Sequence, residues 1–228
     1  MNNPDWWKKL TPVNRFGWAC AVNNLEDYAI GMLYDDCSGI RPTDKTYNLR
    51  IPTLLFDALV HRRERVAKCL LELGAEVNIE CLVHYTPLGY AVLNKMLSVA
   101  EMLIRRGADV RHVPAPIHGF IWQASAGRTA LHDAVNEGQM DLVRLLVENG
   151  ADLDSHEHGI CPPIHLAARH NYRDIMRYLA EQGADFAIRY YGECTLVEHL
   201  REASNPRLRQ YDLNLEVQML ELAVELSR

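Results

Sequence analysis

No apolar run in this 228-residue sequence approaches the length needed to cross a bilayer. The N-terminal stretch Met1 to Lys9 is polar, carries Trp6 and Trp7, and lacks the apolar core of a signal peptide. Neither sign of charge dominates. The formal net charge is −6 and the basic residues are scattered, which leaves no electrostatic footprint for nucleic acid. Cysteines at positions 20, 37, 69, 81, 161 and 194 show no spacing of a disulfide framework. A phosphate-binding loop of the Gly-x-x-x-x-Gly-Lys type is missing, and no nucleophile stands in a recognisable motif. These gaps point to an intracellular, cytoplasmic, soluble protein with no cofactor, whose partner is neither nucleic acid nor membrane.

What the sequence does contain is a phrase used four times. Gly74-Ala75-Glu76, Gly107-Ala108-Asp109, Gly150-Ala151-Asp152 and Gly183-Ala184-Asp185 each close a leucine-rich helical stretch, at intervals of 33, 43 and 33 residues. Twenty-one residues before each glycine a second phrase begins: Thr53-Leu54-Leu55-Phe56-Asp57-Ala58, Thr86-Pro87-Leu88-Gly89-Tyr90-Ala91, Thr129-Ala130-Leu131-His132-Asp133-Ala134 and Pro162-Pro163-Ile164-His165-Leu166-Ala167. Such self-similarity marks a repeat architecture.

Each repeated residue has a physical task. Thr86 is suited to cap a helix, since its hydroxyl can accept from an orphan N–H of the first turn. Pro87 at the next position gives up an N–H that would be unpaired there anyway. Leu88 and Ala91 share one face, as do Leu131 with Ala134 and Ile164 with Ala167. A second helix follows, with apolar residues such as Val99, Met102 and Leu103, or Leu142, Val143, Leu145 and Leu146, at helical spacing. The closing glycine can stop it in the left-handed conformation. One unit cannot bury its own apolar face, so units must stack. Degenerate copies are expected at both ends. Arg15 to Leu33 fits loosely, with Cys20 in the alanine slot and Leu25, Tyr28, Met32 and Leu33 in second-helix slots. Cys194-Thr195-Leu196 opens another copy, whose second helix resumes at Leu213 to Leu226. Cys20, Cys69 and Cys194 occupy core slots and are expected to be reduced and buried.

From Thr53 to Phe186 the chain resembles the ankyrin repeat family, strongly over more than half its length and loosely over nearly all of it. The resemblance implies an all-α ankyrin repeat solenoid: a single domain, 1–228, of about six helix-turn-helix units with hairpin loops, near 15–48, 53–85, 86–128, 129–161, 162–193 and 194–228, the first and last acting as caps. It further implies protein binding through a concave face built from hairpin tips and the exposed side of the first helices. Transferred slot by slot, the partner-binding positions are Arg50, Tyr85, Arg128, Asn136, Glu137, His158, Arg169, His170, Tyr190, Tyr191 and Arg201. Arg and Tyr are favoured at binding hot spots.

Departures from the pattern carry information of their own. Gly89 stands where the histidine of the opening phrase belongs, and the second unit lacks both its proline and its histidine. An insertion at 113–126 lengthens the third unit by ten residues and includes Phe120, Ile121 and Trp122. Insertions in such arrays map to loops, often on the binding side, so this apolar triplet joins the candidate contacts.

Catalytic and metal chemistry are weak alternatives. His156, His158, Cys161 and His165 lie within ten residues, but their spacing fits no common zinc pattern and His165 matches the repeat's own His132. His132 and Asp133 are neighbours on a helix and point apart. The expectation is a non-catalytic interaction module without bound metal, with an inhibitor, immunity protein or adaptor as its more specific versions. The competing class is an array that binds a small molecule or nucleotide, or a weak hydrolase built on the His-rich fifth unit.

Overall fold

In the computed structural model the described residues are 10–22, 25–35, 38–41, 43–44, 53–81, 85–114, 127–156, 160–185 and 188. Among them the chain is all-α and forms ten helices in five helix-turn-helix pairs. They fall into two compact blocks, 1–109 and 110–228.

The N-terminal block contains α1 (Pro12–Ala21) with α2 (Glu26–Tyr34), α3 (Leu54–Val60) with α4 (Glu64–Glu72), and α5 (Pro87–Leu93) with α6 (Leu97–Arg105). First helices pack on first helices, α1 on α3 and α3 on α5. Second helices do the same, α2 on α4 and α4 on α6. In the C-terminal block α7 (Ala130–Asn136) pairs with α8 (Met140–Glu148) and α9 (Pro163–Arg169) with α10 (Arg173–Glu181). There α7 packs on α9, and α8 on α10.

The core repeats in phase. Val66, Ala67 and Leu70 of α4 are matched by Val99, Ala100 and Leu103 of α6, Leu142, Val143 and Leu146 of α8, and Ile175, Met176 and Leu179 of α10, all buried. The first helices bury Leu55, Leu88, Leu131 and Ile164 in one slot and Ala58, Ala91, Ala134 and Ala167 in another. The alanine slot admits a neighbouring helix at close range. At the end of α8 the Gly150 N–H donates to Val147 O and the Ala151 N–H to Leu146 O, with Gly150 at φ 84°. That closure needs a left-handed residue, and the same bonds recur at Gly74, Gly107 and Gly183.

A second left-handed position recurs between the paired helices. Arg62 (φ 57°), Lys95 (φ 62°), Gly138 (φ 66°) and Asn171 (φ 60°) occupy the same slot, and only one of them is glycine. The following residue, Arg63, Met96, Gln139 or Tyr172, donates its N–H to the alanine-slot carbonyl of the first helix. This wrap dictates the backbone whatever the side chain.

Caps follow the expected chemistry in two places. Thr86 Oγ accepts from the Gly89 N–H, and Thr129 Oγ accepts from the His132 N–H while His132 Nδ1 accepts from the Thr129 N–H. Thr53 makes no side-chain cap bond. The first copy starts earlier than the Arg15 template, since Thr11 caps α1 by accepting from the Asn14 N–H. Two expected core slots are more open than expected. Cys69 is half-buried, because it lies at the edge of the α4 stripe. Tyr28 is 42% exposed, on the side of α2 away from its buried Ala29, Met32 and Leu33. Cys20 is buried as expected, and so are Cys81 and Cys161; Cys194 lies outside the described residues.

Candidate functional site

In the C-terminal block, Asn136 and Glu137 end α7 while Arg169 and His170 end α9, so stacking the two first helices brings all four onto one patch. Asn136 is half-buried and the other three are exposed. His170 Nε2 and Asn136 Oδ1 are 3.2 Å apart, and the Asn136 amide donates to Glu137 Oε1 at 3.3 Å. The His170 ring stacks on Tyr172 with centroids 5.6 Å apart. Tyr172 in turn lies over Gly138, where an added Cβ would stand 2.8 Å from its ring. Partial burial holds the His170 pKa down, Arg169 and Arg128 add to that, and Glu137 opposes them. The patch therefore presents mixed charge around a neutral imidazole at pH 7.

Arg128 has a structural commitment. Its Nη2 lies 2.8 Å from Asp133 Oδ1, with the arginine side chain 23% exposed and the aspartate 2% exposed. The guanidinium thus sets a positive charge against a buried carboxylate. Tyr85, in the N-terminal block, is half-buried. It packs against Tyr90 at 5.5 Å, and Tyr90 meets Phe56 edge-on at 5.4 Å. Gly89 makes this possible, because a Cβ at that position would come within 2.9 Å of the Tyr85 ring. The missing histidine of the third unit is thus the space that Tyr85 fills.

Arg50, Phe120, Ile121, Trp122, His158, Tyr190, Tyr191 and Arg201 lie outside the described residues. The neck of the insertion does not. The Gly127 N–H donates to Pro114 O at 2.9 Å, so the inserted segment leaves and returns at one point, next to Arg128. Sequence reasoning missed the role of Asn94, whose amide donates to Leu59 O and Tyr90 O. Its carbonyl receives Arg62 Nη2 at 2.9 Å. Asparagine at a helix C-terminus was the available signal.

His132 Nε2 is bonded to Cys161 O at 3.1 Å, and burial depresses the His132 pKa to about 4. His165 is buried at the equivalent position. His156 is exposed and bonds through Nδ1 to Asp154 O, and burial pushes the Cys161 thiol up. Among the described residues no group of three or more His, Cys, Asp or Glu could hold a metal ion, and no helix is long and apolar enough to cross a membrane.

Comparison with known proteins bears on the same region. A family model for ankyrin repeats in three copies matches residues 118–190, and one for a single ankyrin repeat matches 84–114. A putative ankyrin repeat protein of fowlpox virus (strain NVSL) is 28% identical over 161 residues, 69% of this chain and 33% of that protein. The B-cell lymphoma 3 protein homolog of Mus musculus is 36% identical over 84 residues, 36% of this chain and 16% of its own length. Inversin of Canis lupus familiaris is 34% identical over 85 residues, 37% of this chain and 7% of its own length. The chain spans a third or less of the length of these relatives.

Proposed function

We propose that the chain binds one protein partner through the exposed ends of its first helices and acts by occupying that partner, as an inhibitor or adaptor, a reading supported by its matches to ankyrin repeat models. The observation that carries this reading is the patch of Asn136, Glu137, Arg169 and His170. These side chains come from two repeats and meet at 3.2 Å between His170 and Asn136, and none of them belongs to the buried core. Residues that a repeat does not need for folding are free to recognise something else. The insertion rooted at Pro114 and Gly127 is proposed as a second contact, through Phe120, Ile121 and Trp122. An intracellular, cytoplasmic setting fits the free thiols at 20, 69, 81 and 161.

The test is a paired measurement on Arg169→Ala/His170→Ala. A partner is isolated on the wild-type chain by affinity purification with mass spectrometry, and its affinity for both proteins is measured by calorimetry. Affinity is expected to fall by tenfold or more, as at a hot spot, while the thermal midpoint stays unchanged. Equal affinity would remove this patch from the interface.

A further inference from the structure

We propose that the turns closing α3 and α5 in the N-terminal block form a basic docking surface, built on Arg62 and Lys95, for an acidic segment of a protein partner held through its Asp or Glu carboxylates. The proposal rests on the protein-binding reading and names the partner's chemistry. It starts from the left-handed position between paired helices, filled by Arg62 (φ 57°), Lys95 (φ 62°), Gly138 (φ 66°) and Asn171 (φ 60°). Glycine and asparagine adopt this conformation at least cost, whereas a long side chain on a Cβ meets steric resistance there. The wrap onto the alanine-slot carbonyl does not need a charge, since the turns at Gly138 and Asn171 complete it without one. Two adjacent repeats of the N-terminal block nevertheless put a cation in the slot, and the repeats of the C-terminal block do not.

Two bonds running in opposite directions hold the surface together. Arg62 Nη2 donates to Asn94 O at 2.9 Å, and the Asn94 amide donates to Leu59 O at 3.2 Å. Because α3 and α5 pack on each other, these bonds tie the Arg62 guanidinium to the carbonyl just before Lys95. Arg62 and Lys95 are both exposed. Among the described residues no carboxylate pairs with Arg62, whose hydrogen bond goes to that carbonyl. Its remaining N–H groups can take a carboxylate in the planar, bidentate geometry that a guanidinium favours. A side chain held in place beforehand loses less freedom when a partner arrives.

Charge singles out an acidic occupant. The chain as a whole carries a net charge of −6, yet Arg62, Arg63 and Lys95 lie in two neighbouring turns. Arg63 is anchored by donating Nε to Cys20 O at 2.7 Å and adds to the positive field. His61, just past α3, has its pKa lowered by burial and then by Arg63, so it is neutral at pH 7. The acid next in sequence, Glu64, is engaged along α4 and α6: its Oε2 accepts from Ser98 Oγ at 3.0 Å and lies 4.0 Å from Lys68 Nζ. At the corresponding turns of the C-terminal block, Glu137 offsets Arg169. A positive surface on a negative chain attracts and orients a negative partner. Cations confined to two turns make a short footprint, which suits a few carboxylates better than the long phosphate track of a nucleic acid.

The experiment needs no identified partner. The 15N-labelled full chain is titrated at pH 7 and low salt with N-acetyl-tetraglutamate amide, with its neutral counterpart N-acetyl-tetraglutamine amide, and with inorganic phosphate. The acidic peptide is expected to give saturable shifts at the amides of Arg62, Asn94 and Lys95. Binding is expected to weaken at least tenfold for the glutamine peptide and for Arg62→Asn/Lys95→Asn, and severalfold in about 0.5 M NaCl. Asparagine already fills this slot at 171, so the variant should keep its helicity and a thermal midpoint at or above that of the wild type. Arg105→Gln/Arg106→Gln removes two exposed charges from the end of α6 and should bind as the wild type does. Absence of saturable shifts, equal binding to Arg62→Asn/Lys95→Asn, or equal weakening by Arg105→Gln/Arg106→Gln overturns the surface. Tighter binding of phosphate than of the acidic peptide makes it a phosphate site and overturns the carboxylate-bearing partner. Should the surface fail while a captured partner still depends on Arg169 and His170, the protein-binding reading stands; the opposite pair of results removes the patch of Arg169 and His170 and leaves the basic surface.

Discussion

Acid should loosen the C-terminal block through one histidine. His132 is fully buried at the head of α7, with Nδ1 against the Thr129 N–H and Nε2 against Cys161 O. Burial lowers its pKa from 6.5 to about 4, with Arg128 adding to the effect. A folded-state pKa below the unfolded value means that protons bind the unfolded chain more readily. The histidine's contribution is therefore complete above pH 6.5 and is lost as pH falls through the window down to about 4. Two and a half units correspond to about 3 kcal/mol over the whole window, and to about 2 kcal/mol between pH 7.5 and pH 5. Urea denaturation of the wild type and of His132→Gln at both pH values isolates this share, because every other titrating group is common to the two. The wild type should lose about 2 kcal/mol more than the variant on acidification. Parallel behaviour of the two proteins, or an NMR titration placing the His132 pKa near 6.5, would refute the buried neutral imidazole.

Three further outcomes follow from the same geometry. Asp57 has the opposite sign: its folded pKa of about 7 lies above the usual 3.8, so its contribution is present below 3.8 and lost as pH rises through 7. Asp57→Asn should accordingly be more stable than the wild type at pH 8, by up to about 4 kcal/mol, and lose that advantage at pH 4. Gly150→Val, forcing a β-branched residue to φ 84°, should destabilise by about 1 kcal/mol or more, whereas Gly31→Ala, at an exposed site inside α2 with open space around it, should be neutral or stabilising in the same chemical denaturation assay. Replacing Phe120, Ile121 and Trp122 together by alanine should leave the thermal midpoint nearly unchanged and weaken a captured partner by about 2 kcal/mol; a loss of stability of about 3 kcal/mol with affinity intact would make the triplet a plug on its own repeat.

The stacked helices were legible because each repeat restates the same local constraints. A leucine or isoleucine at positions 55, 88, 131 and 164, an alanine three later and a stopping glycine can each be read from one strand of text, and each sits where the spacing puts it. The turn between paired helices was hidden. Its left-handed residue is imposed by a backbone wrap onto the alanine-slot carbonyl, so Arg62, Lys95 and Asn171 adopt it without any glycine to announce it. At the candidate site, Asn136, Glu137, Arg169 and His170 were recognisable as positions that folding leaves free. Tyr85 and Arg128 looked the same in sequence but serve packing and charge neutralisation. Their partners, Gly89 and Asp133, are four and five residues away, and only the helix geometry shows that they meet.

Hydrogen exchange of the chain with and without its captured partner tests the central claim most directly. If the partner rests on the ends of the first helices, exchange should slow at residues 136–137 and 169–171, with the second helices α8 and α10 unaffected. Protection confined to α8 and α10, with 136–137 and 169–171 exchanging as in the free chain, would contradict the account.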